Sequence, residues 1–287
     1  MNLLRSASHH HAPTSRTRDG TGTALRGHEG SAAVSAALVA PRGGTSEQLG
    51  RRLGGLSPIL VFCMTTLAGF VILAALMIGL GFLLVDVVLP VHVIGHDDEA
   101  VNTWLASHRS PSRNDVSFVG TMLGDIPFIP ALVIVTAIGA AILRRWRAFA
   151  FILGAIAVEV ATYRVTSLIV HRQRPSVPRL DPDHLPVNQS YPSGHVAAAV
   201  VVYVGLALLI SARLRNRGAQ LAVWTLAIAL PLAVALSRMY RGMHHPLDVT
   251  AGFLMGLAAI SIALFATRTA GEAARLRSSA AGDRGRA

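Results

Sequence analysis

Six apolar segments, each near the ~20 residues that a helix needs to cross a bilayer, occupy most of this chain. They lie at about 58–85, 116–143, 149–170, 195–212, 219–236 and 246–267. Hydrocarbon offers backbone groups no water to pair with, so runs of this length are expected to satisfy themselves as helices. The expected fold class is therefore all-α, an integral-membrane bundle of six transmembrane helices. Composition agrees: 52% of residues are apolar, 14% are charged and mean hydropathy is +0.50. The second segment is interrupted by Asp125, Pro127 and Pro130, so its crossing can begin as late as Phe128. Residues 1–56, rich in Gly, Ala, Ser, Thr and Arg, read as a disordered tail in which His9, His10 and His11 form a solvated polar patch. Residues 57–268 read as one membrane domain and 269–287 as a polar tail. The first long apolar run starts only near Ser57, which favours a retained helix over a cleaved signal.

All 26 basic residues are arginine, and the formal net charge is +11. These arginines sit in tails and short connections, not along an exposed face with interleaved aromatics, which argues against a nucleic-acid partner. Seven lie in the N-terminal tail, three at Arg144, Arg145 and Arg147, three at Arg213, Arg215 and Arg217, and five from Arg268 onward. With six crossings all four groups fall on one side, and the positive-inside rule makes that side cytoplasmic. Both termini are then inside, and the other three connections lie outside. The single cysteine, Cys63, excludes an intrachain disulfide. The first outer connection, around Asp97, Asp98, Glu99 and Trp104, is expected to form an amphipathic interfacial helix anchored by Trp104, with no catalytic role.

The polar residues cluster at helix junctions on that outer side. The third segment ends at His171-Arg172-Gln173-Arg174-Pro175, and the fourth opens at Tyr191-Pro192-Ser193-Gly194-His195. The fifth ends at Ser237-Arg238, and the sixth opens after His244-His245-Pro246 with Asp248 in its first turn. Arg174, Ser193, Gly194, His195, Arg238, His244 and Asp248 can thus converge at one mouth. Guanidinium forks match phosphate oxygens, and a helix N-terminus supplies backbone N–H groups. Two histidines in such a seat suggest covalent phosphoryl transfer: one imidazole attacks phosphorus, and the other protonates the leaving oxygen and then activates water. Asp248, four residues after His244, is placed to accept that imidazole's second N–H. A metal site built from His195, His244 and Asp248 is disfavoured because the adjacent arginines would repel a cation.

With these residues the chain resembles the type 2 phosphatidic acid phosphatase (PAP2) family of membrane lipid phosphatases, whose pattern is K-x6-R-P, then P-S-G-H, then S-R-x5-H-x3-D. Pro192-Ser193-Gly194-His195 completes the second motif, and Ser237, Arg238, His244 and Asp248 complete the third. The resemblance covers about residues 101–267. It implies His244 as the nucleophile that becomes phosphohistidine, His195 as acid and base, and Asp248 as the orienting acid. It further implies Arg174, Ser193, Gly194 and Arg238 as phosphate ligands, and chemistry that needs no metal or other cofactor. The first motif departs from the pattern: seven residues before Arg174 stands Ser167, in place of the lysine. Arg164 and Arg172 are the available substitutes, Arg164 requiring a polar partner such as the phosphate or Glu159. His171, His184 and His245 read as interfacial anchors.

The resulting expectation is a bacterial plasma-membrane enzyme whose outward-facing site hydrolyses a lipid phosphate or diphosphate. Phosphatidic acid, phosphatidylglycerol phosphate and polyprenyl phosphates or diphosphates are the candidate substrates. Two alternatives stand beside it: a catalytically silent protein that binds or transports an anionic lipid, and a phosphotransferase using the same intermediate. Oligomeric state is not encoded in any of these patterns.

Overall fold

A computed structural model of the protein describes residues 36–125, 128–180 and 189–284. The assignments for residues 1–35 (with His9, His10 and His11), Pro127, His184 and residues 285–287 lie outside them. Among the described residues the regular structure is entirely helical: α1 (Thr45–Arg52), α2 (Pro58–Phe82), α3 (His92–Ser107), α4 (Pro111–Met122), α5 (Phe128–Ile142), α6 (Trp146–Ile169), α7 (Gly194–Ser211), α8 (Arg217–Tyr240) and α9 (Pro246–Arg284). A wide turn over Leu83–Val88 prolongs α2.

The helix boundaries follow local chemistry. Ser57 caps α2 by accepting from the Leu60 N–H at 3.2 Å, with Pro58 at the first helical position, where its missing N–H is not needed. Asn216 caps α8 by accepting from the N–H groups of Gly218 and Ala219. Pro175 follows shortly after α6 ends, and the positive φ of 75° at Gly242 lets the chain reverse between α8 and α9.

α9 forms the axis, packing against α1, α2, α6 and α7, while α8 packs on α7 and α4. Gly252 and Gly256, one turn apart on α9, let the α7 backbone come close. A Cβ at Gly252 would lie 2.6 Å from the Ser193 carbonyl oxygen, and one at Gly256 would lie 2.8 Å from that of Ala197. Apolar side chains that face away from this core, such as Ile59, Leu67 and Leu221, are exposed, as a lipid-facing surface requires.

Among the described residues five helical stretches are long and apolar enough to cross a membrane, and α5 is a shorter apolar helix of 15 residues. The expected second crossing at 116–143 is therefore split: α4 ends at Met122, and the chain turns before α5 starts at Phe128. At 1.5 Å per residue α5 spans about 22 Å, less than the ~30 Å of hydrocarbon. Two corrections concern the tails. Within the segment read as disordered to residue 56, Thr45–Arg52 is a helix laid on α9, with Glu47 in its first turn and Arg51 and Arg52 in its last, complementing the helix dipole. The polar tail from 269 is instead helical through Arg284, because Thr269, Gly271, Glu272 and Ala273 are buried by α1 and its neighbours. α1, Arg147 before the body of α6, and residues 268–275 of α9 meet at one end of the bundle, so three of the four arginine-rich segments are neighbours.

Candidate active site

At the other end of the bundle, the polar side chains singled out from the sequence come together. His244 lies in the turn between α8 and α9 and is 3% exposed. Its Nδ1 is 2.7 Å from the carbonyl oxygen of Ser190. A carbonyl only accepts, so Nδ1 carries the hydrogen, and the lone pair of the neutral ring sits on Nε2. Ser190 is itself fixed: its N–H donates to the Arg172 carbonyl at 2.9 Å and its hydroxyl to the Gln173 carbonyl at 2.8 Å. Burial, aided by the positive charges of Arg174, Arg238 and His195, holds the His244 pKa well below its ordinary 6.5. The ring is therefore neutral at neutral pH and is ringed by the cations expected to bind phosphate.

The aspartate expected to orient that ring does something else. Asp248 Oδ2 is 4.0 Å from His244 Nδ1, beyond hydrogen-bond range. The carboxylate instead takes one nitrogen of Arg172 through Oδ1 and accepts from the His245 N–H at 2.8 Å through Oδ2. The second terminal nitrogen of Arg172 is held by Asp98. Arg172, expected as a phosphate ligand, is thus clamped between two buried carboxylates, because a buried guanidinium needs compensating charge. Arg164 is exposed on the outside of α6, paired neither with Glu159 nor with the polar cluster. Ser167, in the lysine position, is 1% exposed and turns its hydroxyl back to the Arg164 carbonyl at 3.2 Å.

Arg174 and Arg238 remain at the site. Arg174 reaches the Met243 carbonyl through Nη1, and burial lowers its pKa from the ordinary arginine value. Arg238 donates to Thr121 Oγ1 at 2.9 Å. Ser193 and Gly194 open α7 without a side-chain cap. The Ser193 N–H donates to the Asp248 carbonyl at 3.1 Å, which ties the starts of α7 and α9 together. The Ser193 hydroxyl is buried and makes no hydrogen bond among the described residues. An uncapped helix start beside an orphaned hydroxyl and two guanidiniums is a seat for a tetrahedral oxyanion. His195 follows, with Nε2 3.2 Å from Asp125 Oδ1.

Several residues of this site were missed in the sequence. Asp125, read only as an interruption, is brought to His195 by the turn between α4 and α5, where Tyr203 donates to the Leu123 carbonyl at 2.7 Å. Its signal was available: an acidic residue within an apolar run is expected to have a function. α3 does more than rest at an interface. Asp98 also accepts from the Leu247 N–H at 3.1 Å, Asn102 donates to the carbonyls of Met239 and His244 at 3.0 Å each, and Glu99 accepts from His245 Nε2 at 2.9 Å. His245 is accordingly buried between Glu99 and Asp248, not an interfacial anchor. Trp104 and His171 are exposed. Among the described residues, no group of three His, Cys, Asp or Glu side chains is arranged to hold a metal ion.

A family model for the PAP2 superfamily matches residues 148–271, the stretch that carries every one of the motif residues. Over that stretch the chain is similar to the PAP2 superfamily. The chain is 27% identical over 182 residues to phosphatidylglycerophosphatase B of Bacillus subtilis, covering 61% of this chain and 86% of that protein. A 71-residue stretch is 39% identical to undecaprenyl-diphosphatase of Sulfolobus acidocaldarius, covering 25% of this chain and 30% of that protein. The crystal structure of a transmembrane PAP2 type phosphatidylglycerolphosphate phosphatase from Bacillus subtilis has the same fold, with a TM-score of 0.56 at 24% identity over 72% of this chain and 94% of that one. The apolar helices and these likenesses are those of an integral-membrane phosphatase of the PAP2 type.

Proposed function

We propose that this PAP2 phosphatase removes a phosphate from a lipid phosphate or diphosphate through a phosphohistidine on His244. The observation that carries the reading is the state of His244: buried, neutral, with Nδ1 committed to the Ser190 carbonyl and the Nε2 lone pair left to attack. In the first step Nε2 forms a bond to phosphorus, the P–O bond to the lipid breaks, and His195 gives its proton to the departing oxygen. In the second, His195 takes a proton from water, the hydroxide oxygen attacks phosphorus, and the P–N bond breaks to release phosphate and restore His244. Arg174, Arg238, the Ser193 hydroxyl and the N–H groups that open α7, with Gly194 first, stabilise the charge on the equatorial oxygens. Asp125 holds one nitrogen of His195 and leaves the other for the transferred proton.

The fold gives this reading its lipid. A site at the end of the bundle lets a tail remain in hydrocarbon while the headgroup enters, and the names of the two relatives point to phosphatidylglycerol phosphate and a polyprenyl diphosphate as substrates to try first. The catalytic unit is the bundle of residues 57–268. Its site faces away from the arginine-rich end, which the positive-inside rule assigns to the cytoplasm of a bacterial plasma membrane, so the chemistry faces outward. Phosphate release from a panel of phosphatidic acid, phosphatidylglycerol phosphate and polyprenyl diphosphate is the test. Release that is lost in His244→Ala and His195→Ala upholds the reading, and equal release by wild type and both variants overturns it. A reporter placed after Arg147 should be cytoplasmic, and one within residues 178–189 should not.

One observation favours a second reading. Ser167 is turned to its own helix and Arg172 is neutralised by Asp98 and Asp248, so neither takes the lysine's place. A protein that binds anionic lipid without turnover would keep affinity for these lipids in the panel while releasing no phosphate.

A further inference from the structure

We propose that the end of the bundle opposite the catalytic cluster holds a second anion site, built for a phosphate group. A cavity of about 620 Å³ opens there between the 39–43 segment, α1, Arg147 and the distal half of α9. Two carboxylates line it, and both are engaged. Glu47 accepts from Arg51 at 2.6 Å and from the Gly43 N–H at 2.5 Å, while Glu272 accepts from Arg275 at 2.7 and 3.0 Å. Three further arginines on the wall have no carboxylate partner among the described residues. Arg147 donates to the Gly271 carbonyl at 3.3 Å, Arg268 uses Nε on the Ala37 carbonyl at 2.7 Å, and Arg42 is exposed.

Guanidiniums do not discharge by losing a proton, so three of them around one cavity repel each other until an anion enters. The planar fork suits a tetrahedral oxyanion, bound bidentately. The positive-inside rule alone accounts for arginines at this end, but not for their enclosing a cavity. The enclosure comes from packing: Leu38 is 1% exposed, Ser46 and Gly50 are buried, and together they clamp the 36–52 segment onto α9 so that it forms one wall. The volume falls within the ~300–1,000 Å³ of small-ligand sites.

The position narrows the ligand. Arg268 is 20 residues beyond Asp248 on α9, about 30 Å along the axis, which matches the hydrocarbon thickness. The cavity therefore sits at the headgroup level of the other leaflet and is separate from the catalytic seat. Its ligand is a phosphate group, carried by an anionic lipid of that leaflet or free in solution.

The test uses the full chain purified in a neutral detergent, with the catalytic phosphate seat removed by Arg174→Gln and Arg238→Gln. Phosphatidylglycerol, phosphatidylcholine and inorganic phosphate are titrated separately, with bound lipid counted by native mass spectrometry and phosphate binding read by calorimetry. Retention of phosphatidylglycerol over phosphatidylcholine identifies a lipid headgroup, and binding of inorganic phosphate with no lipid preference identifies the free ion. Either upholds the site if Arg147→Gln with Arg268→Gln weakens that binding at least about tenfold, as the loss of charge-assisted hydrogen bonds requires. Arg42→Gln, at an exposed residue whose loss does not threaten folding, should weaken it several-fold. No binding of either probe, or affinity unchanged in Arg42→Gln and in whichever double variant folds, overturns the proposal. In the chain with an intact catalytic seat, the same three substitutions should leave phosphatase turnover at saturating substrate unchanged.

Discussion

Asp248→Asn separates a carboxylate that orients His244 from one that neutralises Arg172. Ser190 already occupies the ring nitrogen that an orienting acid would hold, at 2.7 Å, and Asp248 stands 4.0 Å away. Its direct partners are a nitrogen of Arg172, the His245 N–H and, at 3.2 Å, the His245 ring nitrogen Nδ1, and neither Arg172 nor Asp248 is more than 5% exposed. Removing one partner of a buried ion pair costs about 3–5 kcal/mol. Asp98 still compensates Arg172, and the asparagine carbonyl still accepts from the His245 N–H, so the loss should be about 2–3 kcal/mol. At roughly 2–4 °C per kcal/mol for a domain of this size, Tm should fall by about 4–12 °C. Turnover should fall at most about a hundredfold, because Arg172 cancels most of the charge that Asp248 presents to His244. Thermal unfolding in detergent and phosphate release from a lipid phosphate measure the two effects on one sample. If Asp248 instead acts as the acid of a triad, kcat falls by about 10⁴ while the structure is left intact. A loss of that size at an unchanged Tm would refute the geometric reasoning.

Five further outcomes follow from the same contacts. Asp125→Asn should lower kcat about ten- to a hundredfold for a lipid phosphate but far less for p-nitrophenyl phosphate, whose leaving group needs no proton; equal losses would count against a role through His195. Asn102→Leu strips the His244 carbonyl of its side-chain donor and the Met239 carbonyl of one of its two donors, and should cost about 1–3 kcal/mol, with kcat reduced more than KM changes, since the His244 turn loses its tether; a Tm within experimental error of wild type would contradict this. Because the His244 pKa lies well below 6.5, the acid limb of kcat/KM should also fall well below 6.5. The same depression means that the unfolded chain binds a proton below pH 6.5 that the folded chain refuses, so stability should decline as pH falls through that value, and a Tm that rises on acidification would show the sign to be wrong. Gly252→Ala places a methyl 2.6 Å from the Ser193 carbonyl oxygen and should cost about 1–3 kcal/mol while displacing the phosphate seat, seen as lower Tm and higher KM together.

What could be read from the sequence, and what could not, divides along physical lines. Period and length mark an apolar helix whatever it touches, so the crossings at α2, α6, α7, α8 and α9 were legible, as were the junctions that bring Arg174, Ser193, His195, Arg238 and His244 to one end. The break between α4 and α5 was signalled by Asp125 and two prolines, yet its purpose depends on where the turn delivers that aspartate, a tertiary fact. Asp98 and Glu99 look like loop carboxylates until α3 is laid over the α8–α9 turn; burial then makes them partners of Arg172 and His245. α1 is too short and too polar to announce itself by pattern, and it becomes a helix because α9 continues past the expected membrane edge and offers it a surface.

The serine in the lysine position connects these points. A phosphate seat needs cations that remain uncompensated until substrate arrives. Arg172 has the right charge and lies close by, but Asp98 and Asp248 have already taken its forks, and Arg164 faces outward. Arg174 and Arg238 stand nearest His244 among the arginines that act on it, beside the uncapped start of α7. The pairing of Arg172 with Asp98 fastens α3 over the turn that carries His244, so this buried charge holds the turn in place. Asp98→Asn should then pull the two functions apart. Freed from one carboxylate, Arg172 can turn toward phosphate and lower KM, while the loosened turn lowers kcat. A variant in which both constants stay at wild-type values would show that α3 and the phosphate seat do not share this arginine.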